Sequence, residues 1–176
     1  IMTVDVCMAG SGINTTVFEG SRFIESGIVS RQDVDYLQSE AFKIPIEPGY
    51  SIYHMFTRHY GIDEDANVTV PVGHEGRKLV ARYTILSAPS SYRESVEKAL
   101  SRIGVQLGKF VLSPLAISEA VISGEEKDLG VVVMDIGGGT TKMASYMDGR
   151  LMHIGVVPFG GEVITKDIRE GCAILQ

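Results

Sequence analysis

The sequence is short of the residues that would commit it to several common functions. It has only two cysteines, Cys7 and Cys172, in 176 residues. No second thiol lies near either, so they fit no zinc pattern and read as reduced core residues rather than a disulfide. Basic charge is also scarce: 16 Lys and Arg stand against 22 Asp and Glu, a net charge of −6. Binding a phosphate backbone needs a basic face, so nucleic acid is not the expected partner. No apolar run approaches the roughly 18 residues of a helical membrane span, and the first residues do not read as a signal peptide. Repeats and low-complexity segments are absent. What is present is a globular composition, 44% hydrophobic and 22% charged. A chain of this length can bury roughly two-thirds of its unfolded surface, in one domain or two small subdomains.

Alternation of apolar and polar residues begins at once, in Met2-Thr3-Val4-Asp5-Val6, and reads as a strand already under way. Ser30 and Asp33 are spaced as a capping box, and Val34, Leu37 and Ala41 follow at helical spacing, which predicts a helix over 31–42. After the breaks at Pro45, Pro48 and Gly49, residues 51–60 read as a strand and 61–67 as a loop or subdomain joint. Leu79, Ala81, Tyr83 and Ile85 share one face of a strand over 78–87, with Arg82 and Thr84 on the other. Ser91 and Glu94 predict a second capped helix, its core stripe Tyr92, Val96, Ala99, Leu100 and Ile103 closed by Gly104. A short strand over 109–113 and a helix over 115–123 come next, and the whole reads as α/β. A helix is also predicted from Glu162 to Gln176, where it stops without a cap. Both ends read as cut, as in a piece of a longer protein.

One segment rises well above background: Gly130-Val-Val-Val-Met-Asp135-Ile-Gly137-Gly138-Gly139-Thr140-Thr141. An apolar strand delivers a carboxylate at its end, and three glycines succeed it. Glycines let a backbone approach a ligand closely and turn its N–H groups toward phosphate oxygens. A carboxylate beside phosphates repels them unless a cation mediates, so Asp135 is expected to hold Mg²⁺, directly or through water. Thr140 and Thr141 are expected to add hydroxyl donors. The glycines do not open a helix, as they would in a Rossmann or P-loop site. They lead into a β run, an Asp148-Gly149 turn of type I′ character and a second β run. The glycines therefore join two antiparallel strands, and no Lys-Ser/Thr comes after them, which rules out a Walker A loop.

Hairpin phosphate loops of this kind belong to the actin-like ATPase superfamily, and Asp135-Ile-Gly-Gly-Gly-Thr140 resembles its second phosphate loop. Ser113-Pro-Leu-Ala116, Gly124-Glu-Glu-Lys-Asp-Leu-Gly130 and Val156-Val-Pro-Phe-Gly-Gly161 resemble FtsA, the actin-like bacterial cell-division family. Pro71-Val-Gly73, Gly76-Arg77 and Leu79 resemble the entry to its extra subdomain, 1C. The match in order and spacing runs from about Val4 to the end, close in the second half and looser before Ile62. Two positions depart from the pattern: Lys142 stands where the family commonly has Asp, and Thr57-Arg58-His59 replaces a triplet that commonly contains Pro.

The resemblance implies an actin-like, ribonuclease H-like fold with a small inserted α/β subdomain. On this reading residues 1–60 are the end of subdomain 1A, 61–124 are 1C and 125–176 open 2A. It implies a protein that binds ATP with Mg²⁺ and polymerises into filaments. It would tether the tubulin-like FtsZ ring to the inner face of the membrane at the division septum and recruit later division proteins. Gly137, Gly138, Gly139, Thr140 and Thr141 would bind the nucleotide and Asp135 the metal. The first phosphate loop, the adenosine-binding half, the FtsZ-binding region and the basic amphipathic tail have no counterpart in these residues. Activity is therefore at most a weak ATPase of the full-length protein, with this stretch alone inactive and no catalytic residue assigned.

Other candidates weigh less. His54 and His59 are five apart on a strand and face opposite sides, and His74 and His153 have no partner at ligand spacing. Glu125-Glu126-Lys127-Asp128 reads as a solvated loop. Ser90 and Ser91 read as caps, since no His-Asp arrangement accompanies them. A pilus-assembly relative of the PilM type shares the inserted subdomain and stays open as an alternative. So does a sugar-kinase-like phosphotransferase, although no acidic general base is in view.

Overall fold

The computed structural model describes residues 2–172. In chain order the elements are β1 (Thr3–Met8), β2 (Asn14–Phe23), α1 (Arg31–Ala41), β3 (Tyr50–Ile62), β4 (Asp65–Val68), β5 (Lys78–Pro89) and α2 (Ser91–Arg102). They continue with β6 (Gln106–Leu112), α3 (Ser113–Val121), α4 (Gly124–Leu129), β7 (Val131–Ile136), β8 (Thr141–Met147), β9 (Arg150–Val157) and α5 (Gly161–Cys172). The class is α/β, as expected. Residues 173–176 of the last predicted helix lie outside the described residues.

The chain forms two compact units, one of residues 15–87 and one of 1–14 with 88–176. These are not the boundaries expected from the sequence at 60/61 and 124/125. Hydrogen bonding between distant strands is the reason. Strand β2 pairs with β5 in a sheet ordered β2-β5-β3-β4, which draws 15–60 into the unit formed by 61–87. Strand β6 pairs in parallel with β1, which returns 88–124 to the chain's first residues.

In the unit of 15–87, α1 covers the sheet. Val34, Leu37 and Ala41 of the helix pack with Leu79, Ala81, Tyr83 and Ile85 of β5. The alternation read from β5 holds as far as Tyr83, beyond which Thr84 and Leu86 are fully buried as well. Ser30 caps α1 as expected: its hydroxyl accepts the Asp33 N–H, and the Asp33 carboxylate accepts the Ser30 N–H at 3.0 Å. The predicted joint over 61–67 is instead a tight turn from β3 into β4, with Asp63 at φ 50°. Asp63 then holds the chain that returns to β5, its carboxylate accepting the N–H groups of Arg77 and Lys78.

In the other unit, β7, β8 and β9 form an antiparallel sheet with α3 against β7 and β8. Leu115, Ala144, Tyr146, Leu151 and Ile154 are buried there. Four readings need correction in this unit. The capping box at Ser91 does not form, because Ser90 precedes the helix with helical angles (φ −58°, ψ −30°) and makes no side-chain cap bond. The α2 stripe is not buried core, and Ile103 is 72% exposed. The acidic run at 125–128 is the short helix α4, which Ser123 caps through Glu126. Cys7 and Cys172 are free thiols as expected, but both are exposed rather than in the core. Gly104 does end α2 in the left-handed region, at φ 71°. Among the described residues no helix is long and apolar enough to cross a membrane.

Candidate phosphate-binding site

The glycine turn is the β7–β8 hairpin loop, as the sequence predicts. The strands are in register from Val131–Tyr146 to Ile136–Thr141, leaving Gly137 to Thr140 to turn the chain. At the far end of β8 the Asp148-Gly149 turn leads into β9, with both residues at positive φ (51° and 69°) as a type I′ turn requires. The Gly137 N–H donates to the Thr140 carbonyl at 2.9 Å and closes the loop.

The other loop carbonyls are held from outside it. The Gly161 N–H donates to the Gly137 carbonyl and the Glu162 N–H to the Gly138 carbonyl, each at 2.9 Å. Both donors belong to the first turn of α5, whose free N–H groups and positive dipole end favour carbonyl oxygens. A trans peptide sets its C=O and the next N–H in opposite directions. Fixing these two carbonyls on α5 therefore turns the N–H groups of Gly138 and Gly139 the other way. Neither finds a partner among the described residues, nor does that of Thr140. Consecutive N–H groups presented together form a concave anion-binding nest.

Two sequence-level expectations change in detail. The Thr141 hydroxyl donates to the Phe159 carbonyl at 2.8 Å, so its hydrogen ties the loop to the β9–α5 connection instead of serving a phosphate. Asp135 is already paired within the protein. Lys142 faces it across the strands, and the ammonium donates to Asp135 Oδ2 at 2.6 Å. Among the described residues no three His, Cys, Asp or Glu side chains are grouped as metal ligands. One carboxylate paired to an ammonium is no all-protein cage for Mg²⁺, and a bridge from Asp135 to nucleotide phosphates, directly or through water, would have to compete with the Lys142 ammonium.

Two family profiles match the chain. One, described as an SHS2 domain inserted in FtsA, matches residues 10–87, nearly the same residues as the unit of 15–87. The other, described as cell division protein FtsA, matches residues 132–175 and so takes in the glycine turn and α5. The chain belongs to the FtsA family. It is 38% identical over 168 residues to cell division protein FtsA of Neisseria meningitidis, covering 96% of this chain and 41% of that protein. It is 30% identical over 168 residues to FtsA of Escherichia coli K12, covering 96% and 40%. The chain thus spans about two-fifths of the length of these curated relatives. Among solved structures, a chain of the PilM–PilN type IV pilus biogenesis complex superposes with a TM-score of 0.66 at 15% identity, over 99% of this chain and 48% of that one. That likeness speaks for the fold, which is actin-like.

Within this FtsA-family chain, Gly160, Gly161 and Glu162 belong to the site, although their role was not read from the sequence. A Cβ on Gly160 would stand 2.3 Å from the carbonyl oxygens of Gly137 and Gly138. The available signal was two consecutive glycines between a strand and a helix, a place where two backbones meet closely.

Proposed function

We propose that the chain carries the phosphate-binding hairpin and the inserted subdomain of an FtsA-type cell-division adaptor. The observation that carries this reading is the pair of Gly138 and Gly139 N–H groups turned away from α5 by the bonds to Gly161 and Glu162. In this reading the nest receives the phosphates of ATP, with Gly137 to Thr140 as the cradle. Mg²⁺ accompanies the nucleotide on its own phosphates and is not seated on Asp135. Nucleotide binding then favours self-association into filaments on the inner face of the membrane at the division site, where the assembly links the FtsZ ring to later division proteins. The unit of 15–87 serves as a docking surface for neighbouring copies or those later proteins. Sequence similarity supports the division reading over pilus assembly, for which only the fold speaks.

Titrating ATP and adenosine into the full-length gene product that carries this sequence tests the phosphate site. ATP should bind with a Kd of about micromolar, and adenosine should bind at least about tenfold more weakly. Equal affinities for the two would remove the phosphates from the interaction and overturn the reading.

A further inference from the structure

The cross-strand pair of Asp135 and Lys142 lies two residues from the glycine turn on both strands, with the Ile136–Thr141 pair between. At the rise of a β-strand that places the pair roughly 7 Å from the loop. The two side chains are partly shielded, 33% and 20% exposed, beside Pro114, Ile117, Val133 and Ala144. Shielding of this degree lowers the local dielectric, so a charge there reaches further than one in open solvent. A bare carboxylate at Asp135 would oppose phosphates arriving at Gly138 and Gly139. With the Lys142 ammonium on Oδ2, the incoming phosphates meet a neutral pair instead.

We infer that Lys142 is the built-in countercharge of the phosphate site, so that the turn accepts nucleotide phosphates without a divalent cation bridging them to Asp135. The inference rests on the reading of the turn as a phosphate site, and it goes further by naming the residue that sets the metal dependence. The Lys142 ammonium does locally what a bound cation would do. It is covalently part of β8, so its charge is present whatever the Mg²⁺ concentration.

The test is the affinity for ATP, measured by calorimetry on the full-length gene product, in excess Mg²⁺ and in excess EDTA. The unsubstituted protein should bind ATP within about threefold under the two conditions, whereas Lys142→Met should weaken in EDTA by about tenfold and recover in Mg²⁺. Lys142→Arg should behave as the unsubstituted protein. Lys142→Met leaves a half-buried carboxylate unpaired and can lower stability. The double variant D135N/K142M removes both charges, and it should regain affinity in EDTA. A protein that needs Mg²⁺ for all but weak ATP binding, or a Lys142→Met variant with an unchanged ratio, would overturn the inference and leave the phosphate site standing. Failure of ATP to bind better than adenosine under either condition would overturn both.

Discussion

Gly160 approaches the Gly137 carbonyl so closely that a Cβ on it would lie 2.3 Å from the oxygen, and equally near the Gly138 oxygen. Both neighbours are backbone atoms, which cannot swing aside as a side chain can. Gly160→Ala should therefore push the glycine turn off the start of α5 and cost about 1–3 kcal/mol, the usual range for overpacking. Gly139→Ala is the control, since a Cβ there meets nothing within 4 Å among the described residues. It should stay within about 0.5 kcal/mol of the unsubstituted chain. Urea unfolding at an unchanged m-value would separate the two, and equal midpoints would refute the close packing.

Asp33 gives the fold an acid-sensitive joint. Its carboxylate accepts from the Ser30 hydroxyl and N–H and pairs with Arg22 at 2.8 Å, while Arg22 lies over the Tyr36 ring. The Ser30 hydroxyl bond, against the opposing effect of burial, holds the carboxyl below its ordinary value, with the Ser30 N–H and Arg22 adding to it. A depressed carboxyl stabilises the fold above the unfolded pKa, and this contribution is lost as pH falls through the lower folded value. Stability should therefore fall more steeply on acidification below about pH 4 in the unsubstituted chain than in Asp33→Asn. At neutral pH Asp33→Ala should cost about 1–2 kcal/mol through loss of the cap. Parallel pH profiles for the two chains would show that Asp33 is not the group involved.

Features set by neighbours in sequence were legible from the residues alone. The Ser30–Asp33 cap, the Gly104 stop and the Asp148-Gly149 turn each need only a few adjacent residues in particular conformations, and each forms as read. The strand, glycine turn and strand at 131–147 were legible for the same reason. Long-range partners were not. Nothing local in 14–23 says that this strand pairs with β5 more than fifty residues later, and the subdomain boundaries were misplaced because of it. Ser91 looked like a cap, yet the chain passes from β5 into α2 with Ser90 already helical, so the expected N-cap geometry never arises. At the site itself the cradle was legible but its support was not. Which backbone would hold the glycine carbonyls, and whether Lys142 would face Asp135, depended on β9–α5 and on strand register.

Asp63 should matter as an acceptor and not as a charge. It occupies a left-handed turn position, its N–H donates to the Lys78 carbonyl at 3.0 Å, and Oδ1 accepts from Lys78 at 2.9 Å. Asparagine keeps that oxygen and tolerates positive φ better than most residues. Asp63→Asn should thus stay within about 0.5 kcal/mol, whereas Asp63→Ala loses the acceptor in a strained conformation and should cost about 1–2 kcal/mol. Chemical denaturation of both variants decides it. Similar losses would mean that the negative charge, and not the hydrogen bonds, anchors the return to β5.

Tyr83 carries a hydroxyl that the core does not use. The residue is 1% exposed, its ring stacks on Phe18 with centroids 6.5 Å apart, and its buried hydroxyl has no hydrogen-bond partner of good geometry among the described residues, although the Tyr60 phenol stands close enough to influence it. Burying an unpaired hydroxyl costs free energy that phenylalanine avoids, so Tyr83→Phe should leave stability unchanged or raise it by up to about 1 kcal/mol. Tyr83→Ala, which empties the site, should lose about 3–5 kcal/mol. Burial, and secondarily the neighbouring Tyr60 phenol, push the Tyr83 phenol far above its ordinary value. Because the unfolded phenol ionises near pH 10 and the folded one does not, stability should decline above that pH. The decline should be shallower in Tyr83→Phe. A Tyr83→Phe variant less stable by about 1 kcal/mol or more at neutral pH would reveal a bond to the hydroxyl and refute this account.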